Sequence, residues 1–409
     1  MYIENRKAVS TTIAAAVVIV VIIVAVIAVV IAIPSLTATK TVTSTSVSTA
    51  VSTSTTTATS TVTTTTSSTT PSSTYKLALL VGGDTTDDGL NDQGVQVAQW
   101  IHATYGWTVS ISEDVPYSSE GALMTSYAQE GYNVIWTDGN QFIGTTEAVA
   151  AQFPHVDFIM TPTYYGDNIS KNVVALGADN QVSGYYLAGV LSAYMTNSTG
   201  TKSGSVGMMI GEWDAEQCYE FYAYQAGVHS VNSSIPVYLT DTENWGDATL
   251  GATDATAMIN TNRIDILVPI ADTTGVGAIA EATITGTAVI GTVLDQVDLS
   301  STSMMTSVLL NMTAFIQPVI QHIIGGTWSQ IGGTVEDLQL GSLAPFHNYA
   351  SSIPASVVAL LNKDYQAILQ GAIQYSGIYP YGIKATNGIF VPITYEANAP
   401  TSNPPPTPS

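Results

Sequence analysis

Between Tyr75 and about Tyr395, short apolar runs alternate with longer stretches of helical periodicity, and this alternation constrains the fold more than any other feature of the chain. The spacing predicts strands at 77–81, 108–112, 134–137, 158–161 and 173–176. A second series follows at 206–210, 237–239, 266–270 and 289–293. Helical patterns lie between most of them, at 95–105, 182–195, 216–231 and 249–259. A short apolar strand followed by a helix is the βαβ unit, in which the crossover helix returns the chain so that successive strands pair in parallel. Two consecutive series predict two similar α/β lobes. The break falls near residues 197–204, where Asn-Ser-Thr-Gly-Thr-Lys-Ser-Gly interrupts the periodicity.

In an open parallel sheet, ligands bind outside the carboxyl ends of the strands, and that is where polar and aromatic residues collect. The first strand is followed by Gly-Gly-Asp-Thr-Thr-Asp-Asp-Gly-Leu-Asn, which holds Asp87, Leu90 and Asn91. Trp136, Asp138 and Asn140 end the third strand, and Tyr164 and Tyr165 follow the fourth. In the second series the strand ends carry Glu212, Trp213 and Glu216, then Asn244, Trp245 and Asp247, then Asp272, then Asp295 and Gln296. Any one of these also suits a turn or a helix cap, and Asp247 is read as a cap. Together they predict two facing edges and a cleft of hydrogen-bond acceptors and stacking surfaces.

The sequence carries no catalytic or cofactor motif, and paired acids such as Asp87/Asp88 or Glu212/Glu216, which in principle suit acid–base work, read with the aromatics beside them as ligand hydrogen-bond acceptors. There is no G-x-S-x-G elbow, no H-E-x-x-H, no P-loop and no G-x-G-x-x-G after a strand. The five histidines are scattered. The single cysteine, Cys218, excludes an intrachain disulfide and a cysteine-based metal cage. The reading is a non-enzyme without metal. Formal charge is −22, from 31 acidic against 9 basic residues, which argues against a nucleic-acid partner.

The ends are built differently. Residues 13–33 are uninterruptedly apolar, and about 20 such residues span a bilayer. We read 11–34 as a transmembrane helix. Arg6 and Lys7 precede it, so residues 1–10 are placed in the cytoplasm and the rest outside. Arg6-Lys7-Ala8-Val9-Ser10 also resembles an archaeal pilin-type signal, cleaved just before the apolar run. Residues 35–74 are almost entirely Ser and Thr, the composition of an extended stalk, and 397–409 are rich in Pro. Asn168, Asn197, Asn232 and Asn311 each open an N-x-[ST] triplet, so a glycosylated, single-pass protein at the cell membrane with an extracellular globular part is expected.

Several motifs occur in a shared order. Asp87-Asp-Gly-Leu-Asn91 is similar to a D-x-x-F-N loop, and residues 150–158 (Ala-Ala-Gln-Phe-Pro-His-Val-Asp-Phe) to A-x-x-F/Y-P-x-V-x-F. Tyr186-Leu-Ala-Gly189, Thr274-Gly-Val-Gly277, Ile290-Gly-Thr-Val-Leu-Asp-Gln296, Thr306-Ser307 and Gly325-Gly-Thr-Trp328 follow. With them the stretch from Tyr75 to about Pro380 resembles the basic membrane protein (PnrA-like) family of ABC-transporter substrate-binding proteins. The resemblance implies a two-lobed type I periplasmic-binding-protein fold over 75–396, with one lobe over about 75–197, the other over about 204–310, and the remainder crossing between them. It also implies a small-molecule solute, an ABC permease as partner, and ligand contacts at Asp87 and Asn91. Several members of the family bind purine nucleosides, with the base stacked on aromatics and the ribose held by Asp and Asn.

This chain departs from the pattern at three positions on the ligand side. Leu90 stands at the loop aromatic, Val293 at the first aspartate of I-G-x-D-x-D-Q, and Leu310 at a lysine. The expected contact set is therefore Asp87, Leu90, Asn91, Asp138, Tyr164, Trp213, Glu216, Trp245, Asp272 and Asp295, with Tyr164, Trp213, Tyr219 or Trp245 supplying the stack. The expected function is capture of a small neutral solute, first a nucleoside, for an importer. A glycosylated surface protein or sensor module that keeps the fold without a transport role is the alternative.

Overall fold

A computed structural model describes residues 75–161, 169–177, 179–196, 204–213, 215–336, 349–370, 372–373, 383–386 and 389–392. The apolar segment 13–33, the Ser/Thr tract, the Pro-rich tail, Tyr164, Asn168 and Asn197 lie outside the described residues.

Every strand of both sequence series forms. β1 (Lys76–Val81), β2 (Thr108–Ser112), β3 (Val134–Asp138), β4 (Asp157–Thr161) and β5 (Val173–Leu176) pair in parallel in the order β5-β4-β3-β1-β2. β6 (Ser205–Ile210), β7 (Val237–Asp241), β8 (Ile264–Ile270), β9 (Ala288–Val293) and β10 (Met304–Leu309) repeat this arrangement as β10-β9-β8-β6-β7. Each sheet thus reverses its direction of growth beside its first strand, between β1 and β3 and between β6 and β8, and such a switch point opens a crevice at the carboxyl edge. Continuous apolar sequence is required because helices cover both faces. Leu77, Ala78, Leu79, Leu80 and Val81 are all fully buried.

The helices show how the lobes are joined. α1 (Leu90–Tyr105), α2 (Glu120–Gln129) and α3 (Ile143–Ala150) follow the first three strands. α4 (Asp179–Thr196) follows β5 but does not pack on the first sheet. Its Tyr185, Leu187 and Leu191 lie in one core with Val206, Met208 and Val268 of the second sheet and with Tyr224 and Val228 of α5 (Ala215–Val231). The lobes therefore divide near residue 177, whereas the sequence pattern puts α4 with the first lobe. α6 (Ala248–Ala257) and α7 (Asp272–Thr285) complete the second lobe. After β10 the chain crosses back. α8 (Met312–Ile324) sets Phe315, Ile316, Val319 and Ile320 in the first core beside Val97 and Ile101 of α1, and β11 (Thr334–Glu336) adds to the first sheet against β5. α9 (Ala355–Leu369) returns Leu361 and Ile368 to the second core. The antiparallel pair β12 (Ile383–Thr386) and β13 (Ile389–Pro392) ends the described chain.

Asn232 and Asn311 are both exposed. Asn311 Oδ1 accepts the Ala314 N–H at 3.2 Å and caps α8.

The Tyr-Leu-Ala-Gly motif has a packing reason. α4 and α5 approach backbone to backbone, and a Cβ on Gly189 would lie 2.1 Å from the Tyr224 carbonyl oxygen, while one on Gly227 would lie 2.0 Å from that of Tyr186. Neither neighbour can yield without moving a helix. Gly189→Ala is expected to lower stability by at least about 1–3 kcal/mol in a urea melt. Gly144→Ala, where nothing lies within 4 Å of the added Cβ, should instead be neutral or stabilising by about 0.5–1 kcal/mol.

Candidate solute-binding cleft

The carboxyl edges of the two sheets face each other across a cavity of about 160 Å³. The first lobe contributes Gly82 and Gly83 after β1, Leu90 and Asn91 at the start of α1, Tyr117, and Asp138 to Gln141 after β3. The second contributes Glu212 after β6, Glu216, Gln217 and Glu220 at the start of α5, Trp245 after β7, Ile270 and Asp272 after β8, and Val293 at the end of β9. Register explains the convergence. Val81 pairs with Asp138 and Asp138 with Thr161 across one sheet, and Ile210 pairs with Ile270 across the other, so the strands end level.

Six residues of the expected set line this cavity: Leu90, Asn91, Asp138, Glu216, Trp245 and Asp272. Asp87, Trp213 and Asp295 are not among the lining residues, and Tyr164 is outside the described ones. Asp87 is 3% exposed and occupied by its own loop. Its Oδ1 accepts the N–H groups of Gly89 at 2.9 Å and Asp92 at 3.0 Å, and its Oδ2 accepts Asn91 Nδ2 at 2.6 Å and the Asn91 N–H at 3.3 Å. It thereby satisfies the amides that open α1, which Gly89 has no side chain to cap. Trp213 packs edge-on against Phe221 and Tyr222. Asp295 Oδ1 accepts the Val297 N–H in the turn after β9. Asp247 caps α6, accepting from Thr249 and Leu250, as its sequence position suggests.

The two lobes meet through directional bonds beside the cavity. Asp272 Oδ1 accepts the Leu90 N–H at 3.3 Å, and its Oδ2 accepts Asn91 Nδ2 at 3.4 Å. Gln296 Nε2 donates to the Asp88 carbonyl at 2.8 Å, and Asn140 Nδ2 donates to Glu216 Oε2 at 3.3 Å. Gln93 Nε2 donates to the carbonyls of Val293 and Leu310. Sequence patterns point to the strand ends but not to Tyr117, Gln141, Gln217 and Glu220. The last two follow Glu216 by one and four positions at the opening of α5, a spacing that places Glu220 on the same helical face as Glu216. Tyr117 lies in the loop beyond edge strand β2, where no periodicity marks it.

The electrostatics are one-sided. No described lining residue is Lys, Arg or His, while five are acidic. Burial pushes the Asp138 pKa up to about 7, with the Thr161 hydroxyl opposing and the charge of Asp87 adding to the rise. Burial likewise holds Asp272 well above the ordinary carboxylate range, with the charges of Asp87 and then Asp138 contributing. Asp87 is raised by burial but held down by the four hydrogen bonds it accepts. Among the described residues no group of His, Cys, Asp and Glu is arranged to hold a metal.

Two parallel-sheet lobes joined by crossing segments, with an acceptor-rich cavity between their carboxyl edges, define a solute-binding protein. Residues 74–340 match the family model of the PnrA-like ABC transporter substrate-binding proteins, and the chain belongs to that family, whose members bind solutes and are not enzymes. It is 25% identical over 246 residues to basic membrane protein B of Borreliella burgdorferi, spanning 58% of this chain and 70% of that protein. It is 29% identical over 209 residues to the ABC transporter nucleoside-binding protein BmpA of Lactococcus lactis subsp. cremoris, spanning 48% of this chain and 56% of that protein. A crystal structure of an ABC transporter system solute-binding protein from Aeropyrum pernix K1 matches with a TM-score of 0.65 over 73% of this chain and 92% of that one, at 18% identity.

The raised carboxyl pKa values fix the sign of a pH effect. A carboxyl that binds its proton more tightly when folded stabilises the fold fully below its unfolded pKa, and that stability is lost as pH rises through the folded value. For Asp138 the window runs from 3.8 to about 7. The ligand-free melting temperature is expected to fall across this window. Asp138→Asn should raise it at pH 8 by at least about 1–2 °C, the shift that 1 kcal/mol gives in a domain of about 300 residues, and should change little at pH 4. Calorimetric melts at the two pH values check this.

Proposed function

We propose that this chain is the solute receptor of an ABC importer, held at the outer face of the cell membrane by its N-terminal apolar segment and Ser/Thr stalk, and that its interlobe cleft captures a small neutral solute, a purine nucleoside first among the candidates. One observation carries the ligand class: the cavity wall combines Asp138 and Asp272 with the indole of Trp245 and the ring of Tyr117, and has no basic residue among those described. Carboxyl groups accept from hydroxyls and ring N–H groups or, where burial keeps the proton on, donate to ring nitrogens, an aromatic face suits a flat base, and a described wall without a basic residue offers phosphate no counter-charge. Nucleosides are therefore favoured over nucleotides. The name of the Lactococcus lactis relative, a nucleoside-binding protein, points the same way. Tyr117 is 69% exposed, an aromatic ring at the cavity that a bound base would cover, and it offers a stacking surface where Leu90 replaces the loop aromatic.

A ligand that binds only the folded state raises the melting temperature by mass action. The full-length protein in detergent is expected to melt higher with adenosine, guanosine or inosine, and to show no shift with the corresponding monophosphates. Trp245→Ala should weaken nucleoside binding by about 1–3 kcal/mol, or roughly 5- to 150-fold, in isothermal titration. A screen in which only anions or peptides shift the melt overturns the ligand class. Protease added to intact cells should release the globular part, and its recovery from the cytoplasm instead would overturn the tethering.

A further inference from the structure

Three carboxyl groups converge where the lobes meet. Asp87 follows β1, Asp138 ends β3 and Asp272 opens α7. Asp87 accepts four hydrogen bonds, two on each oxygen, and is equipped to carry a charge. Asp272 accepts one N–H on each oxygen from the opposite lobe. Asp138 is arranged differently. It is 1% exposed and lines the cavity. Its Oδ1 accepts the Thr161 hydroxyl at 2.6 Å, and Thr161 Oγ1 in turn accepts the Trp136 indole N–H at 2.7 Å. The indole can only donate, so the Thr161 hydrogen is committed to Oδ1. Asp138 Oδ2 is buried without a protein partner. It lies over Gly94 of α1, where an added Cβ would come within 2.5 Å, so the helix is shaped to leave that oxygen room.

An ionised Asp138 would bury a second negative charge close to Asp87 with no basic residue among the described ones that line the cavity, the costly arrangement for a closed cleft. The groups around it offer no relief. Asp87 and Asp92 stand at the start of α1, Asp272 on α7, Glu212 after β6, Glu216 and Glu220 on α5, and Glu120 behind Gln141, and β4 presents only the Thr161 hydroxyl. A neutral carboxylic acid avoids the cost. Because Oδ1 is already an acceptor, the proton of that acid belongs on Oδ2.

We infer that Asp138 acts as a hydrogen-bond donor when a solute seats and its carboxyl group turns from Gly94 towards the cavity, giving the Oδ2 hydrogen to an acceptor atom of the solute, a ring nitrogen or carbonyl oxygen, and is thereby the residue that selects acceptor-bearing solutes. This rests on the reading of the cleft as a solute site. The upward push on its pKa to about 7 by burial agrees with a proton held near neutrality, and an acceptor seated on Oδ2 would hold it more tightly still.

The test is isothermal titration of the full-length protein in detergent with adenosine, guanosine, inosine and cytidine from pH 5 to pH 9. Affinity for the nucleoside that binds should be constant below about pH 7 and fall above it, by up to about tenfold per pH unit. Titrations at pH 7.5 in buffers of different ionisation heat should show proton uptake on binding. Asp138→Ala should weaken binding at pH 6 by about tenfold or more and abolish the pH dependence. Asp138→Asn keeps an oxygen for Thr161 and a donor in place of Oδ2. It should restore most of the binding lost in Asp138→Ala, with an affinity flat from pH 5 to pH 9. Ligand-free melts establish that both variants fold. Affinity that rises with pH, a flat wild-type profile, or an Asp138→Asn variant as weak as Asp138→Ala overturns the donor role and leaves the nucleoside reading standing. Absence of binding by all four probes overturns that reading and this inference together.

Discussion

One contact across the middle of this molecule completes a helix of one lobe from the other, that of the Asp272 carboxyl group with the opening turn of α1. The first amides of a helix have no partner within the helix. Here Asp87 serves those of Gly89, Asn91 and Asp92 from within the same lobe, and Asp272 serves that of Leu90 from the other. A helix terminus in one lobe is thus completed by a side chain of its partner. Asp272 has a positive φ of 44°, a conformation that Asp tolerates better than most residues. That backbone geometry accompanies a carboxyl group whose two oxygens meet Leu90 and Asn91. Asn91 passes the connection on, since its Oδ1 accepts the Gly83 N–H at 3.2 Å and so ties the end of β1 to the same network.

Much of the architecture is legible in the sequence because parallel strands buried on both faces must be continuously apolar. Nine strands were marked by that property, and each forms within a residue or two of its apolar run. Connectivity is less legible. A helix between two strands reads the same whether it packs on the sheet before it or the sheet after it, and α4 packs on the sheet after it. Its Tyr185, Leu187 and Leu191 are as apolar as either core would require. β11 is not legible for another reason. Three residues at the edge of a sheet, Thr-Val-Glu, need no apolar run.

The candidate site was legible to the level of the strand end and no finer. Residues after β3, β6, β7 and β8 do reach the cavity. Which of two neighbours reaches it depends on the turn each strand makes. Asp87 and Asn91 illustrate the limit. Four residues apart at a helix start, one is turned towards the backbone amides and the other lines the cavity, and a loop rich in Asp and Asn allows either assignment. The same ambiguity separates Trp213, which packs on Phe221 and Tyr222, from Trp245, which lines the cleft.

Val293 joins the two themes of closure and selection. It ends β9 with φ at 67°, a region where a β-branched residue is strained by about 1–3 kcal/mol. Its backbone is held there from two sides. Its carbonyl accepts the Leu310 N–H at 2.9 Å where the chain leaves the second lobe, and also Gln93 Nε2 from α1 of the first. An aspartate or asparagine would occupy this backbone conformation at lower cost, and the resembling motif carries aspartate at this point. Valine instead adds an apolar side chain to Leu90 and Ile270 on a cavity wall that also carries five acids. With Val293 apolar, the polar contacts of the cleft fall to carboxyl groups such as Asp138, Asp272 and Glu216, which lie around it rather than on β9. Strain held by the crossing segment and a wall that cannot hydrogen-bond thus occur in a single residue, and both limit the orientations in which a polar solute can be seated.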